Sequence, residues 1–389
     1  MTMPLRAGLV GPGFIAAQHL EAARRLGDVE FVALAGSSLT TARRHAAQWR
    51  IPRAYGDYRE LLADPDVTVV HNTTPNHMHL AVSLAALRAG KHVISEKPLA
   101  SSAGDSRVLW QAARRARLAH VVMFNYRGNP LVQEARALIG RGVLGPACFI
   151  HGHYLQDWLA DERAYSWRLD PARAGASSAL RDIGSHWCDL AEHVTGLRIV
   201  AVLADLGTVV RRRQVARTGS GTFSGISSAK TRTVKVVSED LATVLLRFAG
   251  GIKGCLSIGQ VLPGHKNDLQ LEVCGRKASI RWRQEEQNEL WIGRHDRAST
   301  VMVKDPAVLS AAAGPYARLP AGHQEGWADA FRNVMADAYR WIRDGAAPRA
   351  RPAALATFAD GYRSDMLVDL MLESHARGGV WRRVPPAPA

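Results

Sequence analysis

Cysteine is scarce in this sequence. Only four of its 389 residues are cysteines, none of them in a C-x-x-C spacing: Cys148, Cys188, Cys255 and Cys274. Their scatter excludes a disulfide framework and a cysteine-rich zinc cluster, and it is typical of a reducing compartment. Long apolar runs are also absent, since no stretch approaches the ~20 residues of a membrane span. The apolar segment 5–10 runs straight into glycines, which does not resemble a signal peptide. We therefore expect a cytoplasmic protein with no membrane partner.

Acidic residues are few compared with basic ones, 35 against 50, which leaves a net charge of +15. Such a charge can indicate nucleic-acid binding. However, the one dense basic run, 211–213, has no interleaved aromatic residues and no DNA-reading motif. We expect solvated arginines and no nucleic-acid partner. With 47% hydrophobic and 22% charged residues, the composition is that of a globular protein. The length predicts about two to three domain-sized units.

A glycine-rich turn follows the first predicted strand, with the sequence Gly11-Pro12-Gly13-Phe14-Ile15-Ala16. This is G-x-G-x-x-A, the small-residue variant of the dinucleotide fingerprint. The first glycine permits the tight turn, and the second lets a pyrophosphate approach the backbone. The helix predicted over 15–26 offers its N-terminal amides to the phosphates. Because strand, turn, helix and second strand follow in order, the pattern strongly indicates a nicotinamide dinucleotide.

The second strand, predicted over 30–35, lacks the acidic residue that usually follows it in NAD-binding domains. Ser37 and Ser38 stand there instead, and Arg43 and Arg44 follow in the next helix. Hydroxyls and a guanidinium suit a 2′-phosphate, which favours NADP over NAD. The alternative is that both arginines face solvent and that either cofactor is used.

Strand–helix repeats continue to residue 127, which predicts a doubly wound parallel sheet of the α/β class. Polar groups follow the strand ends, where such sheets bind ligands. Further along, seven strand-like runs between 199 and 293 predict a large, mainly antiparallel open sheet in an α+β domain. We expect a dinucleotide-binding domain at 1–127, a substrate and oligomerisation domain at 128–384, and a disordered tail at 385–389. A Gly/Ser-rich segment, 218–228, reads as a mobile loop.

Two carboxylate–histidine pairs occur four residues apart, Asp182 with His186 and Asp189 with His193. On a helix, residues at this spacing share a face. A histidine exchanges protons near neutral pH, as a general base for an alcohol must, and a carboxylate can orient its ring. Spacing alone does not decide which pair is functional. A stretch upstream combines aromatic rings, which can stack on the apolar faces of a sugar, with groups that can hydrogen-bond its hydroxyls. Its residues are Tyr154, Gln156, Trp158, Trp167 and Arg168.

Histidines two apart, at 77 and 79 and at 151 and 153, resemble metal ligands on a strand. No carboxylate or cysteine stands at a matching spacing in the sequence, and hydride transfer needs no metal. We predict no metal site.

As a set, these motifs resemble the Gfo/Idh/MocA family of oxidoreductases. The resemblance spans nearly the whole chain and rests on the glycine turn with His19, Thr74-Pro75-Asn76 with His79, Glu96-Lys97-Pro98, Asn125-Tyr126-Arg127 and Asp182-Ile183-Gly184-Ser185-His186. It implies a Rossmann domain, then an α/β domain with a large open sheet, in a homodimer or homotetramer often built on that sheet. Tyr154 to Trp158 with Trp167 and Arg168 look like the sugar-dehydrogenase branch that includes levoglucosan dehydrogenase.

The resemblance also implies roles for individual residues and a cis peptide before Pro98. Lys97 and His186 are the implied catalytic pair, assisted by Asp182. The predicted cofactor-binding residues are Gly11, Gly13, Phe14, Ile15, Ser37, Ser38, Arg43, Thr74, Pro75, Asn76, His79, Glu96, Lys97 and Asn125. The predicted substrate-binding residues are Arg127, Tyr154, Gln156, Trp158, Trp167, Arg168, Asp182 and His186.

These residues predict reversible hydride transfer between a nicotinamide and a secondary alcohol of a sugar, anhydrosugar or inositol. His186 would take the hydroxyl proton, and Lys97 would stabilise the developing oxyanion or carry the proton itself. One alternative is a non-catalytic sensor that binds dinucleotide and sugar. Another is a reductase of ketosugars or aldehydes, because the sequence does not set the direction of flux.

Overall fold

A computed structural model describes residues 4–216, 231–346 and 351–386. The predicted mobile loop at 218–228 and the last three residues of the predicted disordered tail lie outside this part of the chain. Within it, no helix has both the length and the apolar character needed to span a membrane.

The strands of the described residues are, in chain order, β1 (Leu5–Val10), β2 (Val29–Ala35), β3 (Arg53–Tyr55), β4 (Val69–Asn72), β5 (His92–Ser95), β6 (His120–Val122), β7 (Ala147–Leu155), β8 (Ile199–Gly207), β9 (Arg212–Ala216), β10 (Thr231–Lys235), β11 (Leu241–Phe248), β12 (Lys253–Gly259), β13 (Asp268–Gly275), β14 (Ala278–Arg283), β15 (Glu289–Arg294), β16 (Thr300–Val303), β17 (Ala356–Thr357) and β18 (Arg382–Arg383).

The α-helices in the same ranges are α1 (Phe14–Arg24), α2 (Leu39–Trp49), α3 (Tyr58–Ala63), α4 (Asn76–Arg88), α5 (Ala103–Ala116), α6 (Pro130–Gly140), α7 (Pro171–Ala174), α8 (Ser185–Thr195), α9 (Trp327–Arg343) and α10 (Phe358–Ala376). Short 3-10 turns lie at Asn125–Gly128, Trp167–Leu169, Ala249–Gly251, Gln284–Glu286 and Gly314–Tyr316, and a π-helical turn spans Leu180–Gly184.

The chain divides into two compact units. The first contains residues 1–128 and 327–365, and the second contains 129–326 and 366–389. The first break lies one residue from the predicted domain boundary. The return of 327–365 to the first unit differs from the prediction, which placed all of 128–384 in one domain. The physical reason is tertiary: β17 pairs antiparallel with β6, and buried residues of α9 enter a core cluster of the first unit.

The first unit is built on a seven-stranded sheet with the order β17-β6-β5-β4-β1-β2-β3. Strands β1 to β6 pair in parallel, and the order reverses between β1 and β4, which is the doubly wound arrangement. Leu9 and Val10 enter different hydrophobic clusters, because successive strand residues point to opposite faces. Both faces are therefore covered, and the ligand edge is the one formed by the carboxyl ends of the strands.

The second unit contains a nine-stranded sheet with the order β16-β15-β14-β13-β7-β12-β11-β8-β18. Its pairs are antiparallel except for β7 with β12. This matches the predicted large, mainly antiparallel sheet. One of the seven predicted strand-like runs, at 232–237, is an exception, because it forms β10, which pairs with β9 in a separate two-stranded sheet.

Candidate functional site

The glycine turn after β1 has the geometry that a pyrophosphate needs. Gly11 has φ +92°, and a Cβ added there would lie 2.9 Å from the backbone of Thr74. A Cβ added at Gly13 would meet no atom within 4 Å. Gly13 also gives α1 no side-chain cap. The turn thus leaves open space at the positive end of an eleven-residue helix, which fits a dinucleotide phosphate.

The loop after β4 packs directly against this turn. The Thr73 hydroxyl donates to the carbonyls of Val10 and Gly11 at 2.9 and 2.8 Å. Asn72 accepts a hydrogen bond from the Thr74 hydroxyl at 2.7 Å. Side chains from one strand end therefore fix the backbone at the neighbouring strand end. Pro75 is the N-cap of α4, and Asn76, a predicted cofactor contact, begins that helix in a buried position.

His79 joins the β4 loop to the Lys97 turn. Its Nε2 lies 2.8 Å from the Thr74 carbonyl oxygen, and its Nδ1 lies 2.7 Å from that of Pro98. Burial lowers the pKa of His79. The Lys97–Pro98 peptide is cis, as predicted. The His79 ring therefore lies within hydrogen-bonding distance of both cofactor-edge loops, and in its neutral form it donates to one of the two carbonyls. The sequence did not indicate this position between the loops.

Lys97 follows the end of β5 and is partly buried. The Glu96 amide donates to the Asn72 carbonyl at 3.0 Å, which ties this turn to the end of β4. One Glu96 carboxylate oxygen accepts the Lys97 amide at 3.2 Å, and the other lies 3.0 Å from His19 Nε2. The predicted catalytic lysine is therefore placed at the ligand edge of the sheet.

The residues after β2 are those on which the predicted choice between NAD and NADP depends. Ser38 is the N-cap of α2, where its hydroxyl accepts the Thr41 amide at 3.2 Å. Arg43 lies on the exposed surface of α2. No carboxylate stands between Ala35 and Arg43 in the sequence.

Two further residues predicted to contact the cofactor, Phe14 and Ile15, begin α1, and Phe14 is 60% exposed.

Asn125 and Arg127 lie in a buried 3-10 turn after β6. The Arg127 guanidinium donates to the Leu355 carbonyl at 3.3 Å and lies 3.6 Å from the Asp360 carboxylate. Burial opposes ionisation of Asp360, but the Arg127 charge and bonds from Thr357 keep the pKa of that carboxyl low. These partners lie inside the first unit, so the structure gives Arg127 a structural role. Its predicted contact with substrate stays a prediction.

In the second unit, Asp182 lies in the π-helical turn and His186 in the first turn of α8. Such turns are frequent at functional sites. The indole of Trp187 anchors α8 by donating to the Gln270 carbonyl at 2.8 Å. A Cβ at Gly152 would lie 2.7 Å from that indole nitrogen, so only glycine allows this approach. His186 is thereby fixed on a rigid helix and is 7% exposed.

The structure distinguishes the two predicted carboxylate–histidine pairs. His193 lies 3.1 Å from the Gln133 side chain and 3.3 Å from that of Arg136, both on α6. The ring of His186 instead lies 6.4 Å from the ring of Tyr154, a predicted sugar contact. The second pair is therefore part of the packing between helices, and the first pair belongs to the candidate site.

The Asp182 carboxylate is held on both sides. One oxygen accepts from Arg168 Nε at 3.2 Å, and the other accepts from the Gln260 amide at 2.9 Å. The Arg168 guanidinium also lies 4.7 Å from the centre of the Trp167 ring. Thus three predicted substrate residues are brought together, with the buried Gln260 as an additional partner that the sequence did not indicate.

The same network continues into the aromatic loop. The Gln156 carbonyl oxygen accepts from Gln260 at 3.2 Å and from the Trp158 indole at 2.9 Å. Asn267 accepts from the Gln156 amide at 2.9 Å and from the Tyr154 hydroxyl at 2.6 Å. Every predicted sugar contact in this unit therefore connects with Asp182 or its neighbours. Gln260 and Asn267 carry no motif, so no signal in the sequence could identify them.

A buried glutamate positions the turn that carries Asp182. Glu239 accepts the Ser177 hydroxyl at 2.7 Å and the amides of Ser178 and Leu180 at 3.0 and 2.9 Å. Burial raises the pKa of Glu239 although these bonds oppose the shift. Glu239 therefore acts as the cap of this segment, and it also was not found from the sequence.

Away from the candidate site, the described part of the chain also contains a group of possible metal ligands. Potential ligand atoms of His151, Glu272 and Cys274 lie within 4.8 Å of one another on β7 and β13. The Arg281 guanidinium lies 3.8 Å from the Glu272 carboxylate, and burial raises the pKa of the Cys274 thiol. Both effects disfavour a metal cation, so we assign no metal to this group.

Two family profiles match the chain. Residues 5–125 match "Oxidoreductase family, NAD-binding Rossmann fold", and residues 132–281 match the "GFO/IDH/MocA C-terminal domain". Levoglucosan dehydrogenase from Pseudarthrobacter phenanthrenivorans is 31% identical over 397 residues, which cover 98% of each chain. The chain belongs to the Gfo/Idh/MocA oxidoreductase family. The predicted family, the two-part fold class and the assignment as an NAD(P)-dependent oxidoreductase are confirmed.

Solved structures of family members show the same fold. Levoglucosan dehydrogenase in complex with NADH and levoglucosan superimposes with a TM-score of 0.86 at 29% identity, covering 98% of this chain and 100% of that one. An inositol dehydrogenase homologue from Azotobacter vinelandii, in complex with NADH and myo-inositol, gives a TM-score of 0.83 at 28% identity over 99% of this chain and 98% of that one. Both similarities extend through both units.

Proposed function

We propose that this oxidoreductase interconverts a secondary alcohol and a ketone on a sugar, anhydrosugar or inositol. The observation that carries the proposal is the network of the second unit, which links Asp182 through Gln260 to Gln156, Trp158 and Asn267. Indole faces stack on the apolar faces of a sugar ring, and amides bond its hydroxyls. The compounds in complex with the similar proteins, levoglucosan and myo-inositol, belong to this class.

In the proposed mechanism the turn with Gly11 and Gly13 would hold the dinucleotide, whose nicotinamide would supply the hydride chemistry. His186 takes the hydroxyl proton as general base, and Asp182 orients its ring or relays the proton. Lys97 donates a hydrogen bond to the reacting oxygen and stabilises the charge that develops there. Alternatively Lys97 carries the proton and His186 positions the substrate. A Lys97→Arg variant distinguishes these roles, because arginine stays charged and cannot act as a base.

The test is a panel of sugars, anhydrosugars and inositols, each assayed with NAD and NADP by absorbance at the reduced-nicotinamide band. We expect turnover with at least one compound, and loss of turnover in Lys97→Ala and His186→Ala with cofactor binding retained. His323→Ala, an exposed histidine of the second unit, is the matched control. Normal turnover in both catalytic variants would refute the assigned roles. A protein that binds dinucleotide and sugar yet never turns over would instead be a sensor.

We also propose a preference for NADP. Support comes from Ser37, Ser38 and Arg43 and from the missing acidic residue after β2. A guanidinium pairs well with a 2′-phosphate, whereas NAD offers only a hydroxyl. Arg43→Ala should lower the ratio of kcat/KM for NADP over NAD by about tenfold. Equal use of both cofactors by the wild type, or a preference for NAD, would contradict this proposal.

A second copy of the chain is the proposed macromolecular partner, in a homodimer or homotetramer. Phe149 and Leu245 lie on the same face of the large sheet, and they are 37% and 46% exposed. Covering such apolar side chains would stabilise an oligomer. Light scattering after size-exclusion chromatography tests this, and a monomer at micromolar concentration would contradict it. The cytoplasmic location stays a prediction from sequence.

A further inference from the structure

Four buried polar side chains in the first unit form one continuous hydrogen-bonded chain that ends at the Lys97 turn. The Tyr339 hydroxyl lies 2.7 Å from His71 Nε2. His71 Nδ1 lies 2.8 Å from His19 Nδ1, and His19 Nε2 lies 3.0 Å from a Glu96 carboxylate oxygen. The other Glu96 oxygen accepts the Lys97 amide. The chain therefore connects α9, β4 and α1 with the backbone of the proposed catalytic lysine.

The surroundings of this chain are dry. His19, His71 and Tyr339 are 0% exposed. The Phe31 and Phe331 rings pack edge-on against His71 and His19, with centroids 5.0 and 5.1 Å apart. In such a setting each hydrogen bond is stronger than in water and polarises the next one. Burial also lowers the pKa of His71 well below its ordinary value, which favours the neutral ring.

The contacts allow one proton arrangement when both rings are neutral and Glu96 is a carboxylate. Within the described residues the Tyr339 hydroxyl has His71 as its hydrogen-bond partner, so it donates to His71 Nε2. His71 then carries its proton on Nδ1 and donates it to His19 Nδ1. His19 carries its proton on Nε2 and donates it to the Glu96 carboxylate. All three donors therefore point along the chain toward Glu96.

We propose that His19, His71 and Tyr339 are positioning residues that hold and polarise the Glu96 carboxylate, and through it fix the backbone that aims Lys97. This inference rests on the proposed function, in which Lys97 contacts the reacting oxygen. A displacement of about 1 Å in such a group is enough to slow an enzyme strongly. The chain ends at a buried tyrosine, so its role is orientation and not proton exchange with solvent.

The key variant is Tyr339→Phe, which removes one oxygen and keeps the ring. We expect kcat to fall about tenfold while the dissociation constant of the reduced cofactor changes less than about twofold. Tyr362→Phe is the matched control, because Tyr362 lies in the same unit and its hydroxyl has no hydrogen bond with the described residues, although its ring stacks on Trp110. A second pair of variants tests the bond to Glu96. The amide of His19→Gln can still donate to Glu96, whereas the side chain of His19→Leu cannot, so His19→Gln should retain more activity than His19→Leu.

A spectroscopic measurement tests the proton arrangement without turnover. Long-range proton–nitrogen spectra of ¹⁵N-histidine-labelled protein should show His71 protonated on Nδ1 and His19 on Nε2. In Tyr339→Phe the His19 Nε2 proton should move upfield, because polarisation no longer reaches it.

Two results would overturn the proposal: the opposite tautomers, or an unchanged kcat in both Tyr339→Phe and His19→Leu. If Lys97→Ala proves fully active, the proposed function fails, yet the tautomers still decide whether the chain is ordered as described.

Discussion

The candidate sites of the two units are held by different kinds of hydrogen bond. On the cofactor edge of the first unit, the loops are fixed mainly by bonds to backbone, as Thr73 bonds to the carbonyls of Val10 and Gly11. Bonds between side chains lie beneath this edge, in the buried chain from Tyr339 to Glu96. In the second unit, side chains bond to one another across long stretches of chain. Gln156 and Asn267 are 111 positions apart, and Asp182 and Gln260 are 78 apart. A backbone site depends on chain geometry, whereas a side-chain site depends on a fold that brings distant residues together.

Apart from the loss expected for Lys97→Ala, the comparison predicts that the largest effects on turnover come from the second unit. Asp182→Asn keeps the shape of the side chain but removes the charge that would stabilise a protonated His186. We expect kcat to fall by about 10²- to 10⁴-fold with little change in the free energy of unfolding. Steady-state kinetics and urea denaturation measure the two quantities. Asp205→Asn, at an exposed site of the same unit, is the control. Equal losses in both variants would show that the effect is not specific to the site.

In the first unit, a single substitution that disturbs the backbone of the glycine turn should be enough to abolish dinucleotide binding. Gly11→Ala places a Cβ 2.9 Å from the Thr74 backbone at a left-handed φ of +92°. We expect a loss of more than about 2 kcal/mol in unfolding free energy, together with loss of dinucleotide binding. Gly13→Ala is the matched variant, because its Cβ meets open space at φ −98°. It should weaken cofactor binding while stability stays near wild type. If the two variants unfold alike, the glycine turn does not act through backbone geometry.

The core of the first unit also predicts a pH dependence of stability. Burial lowers the pKa of His120 to about 4, and its ring stacks on Phe358 at 5.4 Å. The unfolded chain therefore binds a proton near pH 6.5 that the folded chain takes up only near pH 4. Unfolding free energy should fall by about 3 kcal/mol from this residue as pH drops through that window. Denaturation of His120→Leu over the same pH range should give a shallower slope. An identical slope would exclude His120 as the source.

The smallest effect is expected from Asn267, which accepts hydrogen bonds from two of the residues predicted to contact the sugar. Asn267→Leu removes the acceptor shared by Tyr154 and Gln156, and we expect KM for the sugar to rise about tenfold with kcat little changed. Asn267→Asp retains that acceptor and should stay near wild type. If Asp behaves like Leu, the two hydrogen bonds do not explain the role of Asn267.

Much of the fold could be predicted from the sequence because its signals are local. The glycine turn, the strand–helix repeats and the alternating strands each depend on a few adjacent residues, and the fold class and family followed from them. Local signals could not show that α9 and β17 return to the first unit. They also could not show that Arg213, part of a run expected on solvated faces, is buried and donates to the carbonyls of Asp161 and Ala164.

By itself, the sequence determined where Lys97, Asp182 and His186 stand in the chain and what chemistry their side chains can perform. Tertiary structure decided which pair belongs to the site, because His193 packs against α6 and His186 lies near Tyr154. It also decided that Gln260 holds Asp182 and that His71 lies beside His19. The chemistry of a side chain depends on one residue and can be read from the sequence. A hydrogen bond needs two residues, and only the packing of distant segments brings such residues within reach of each other.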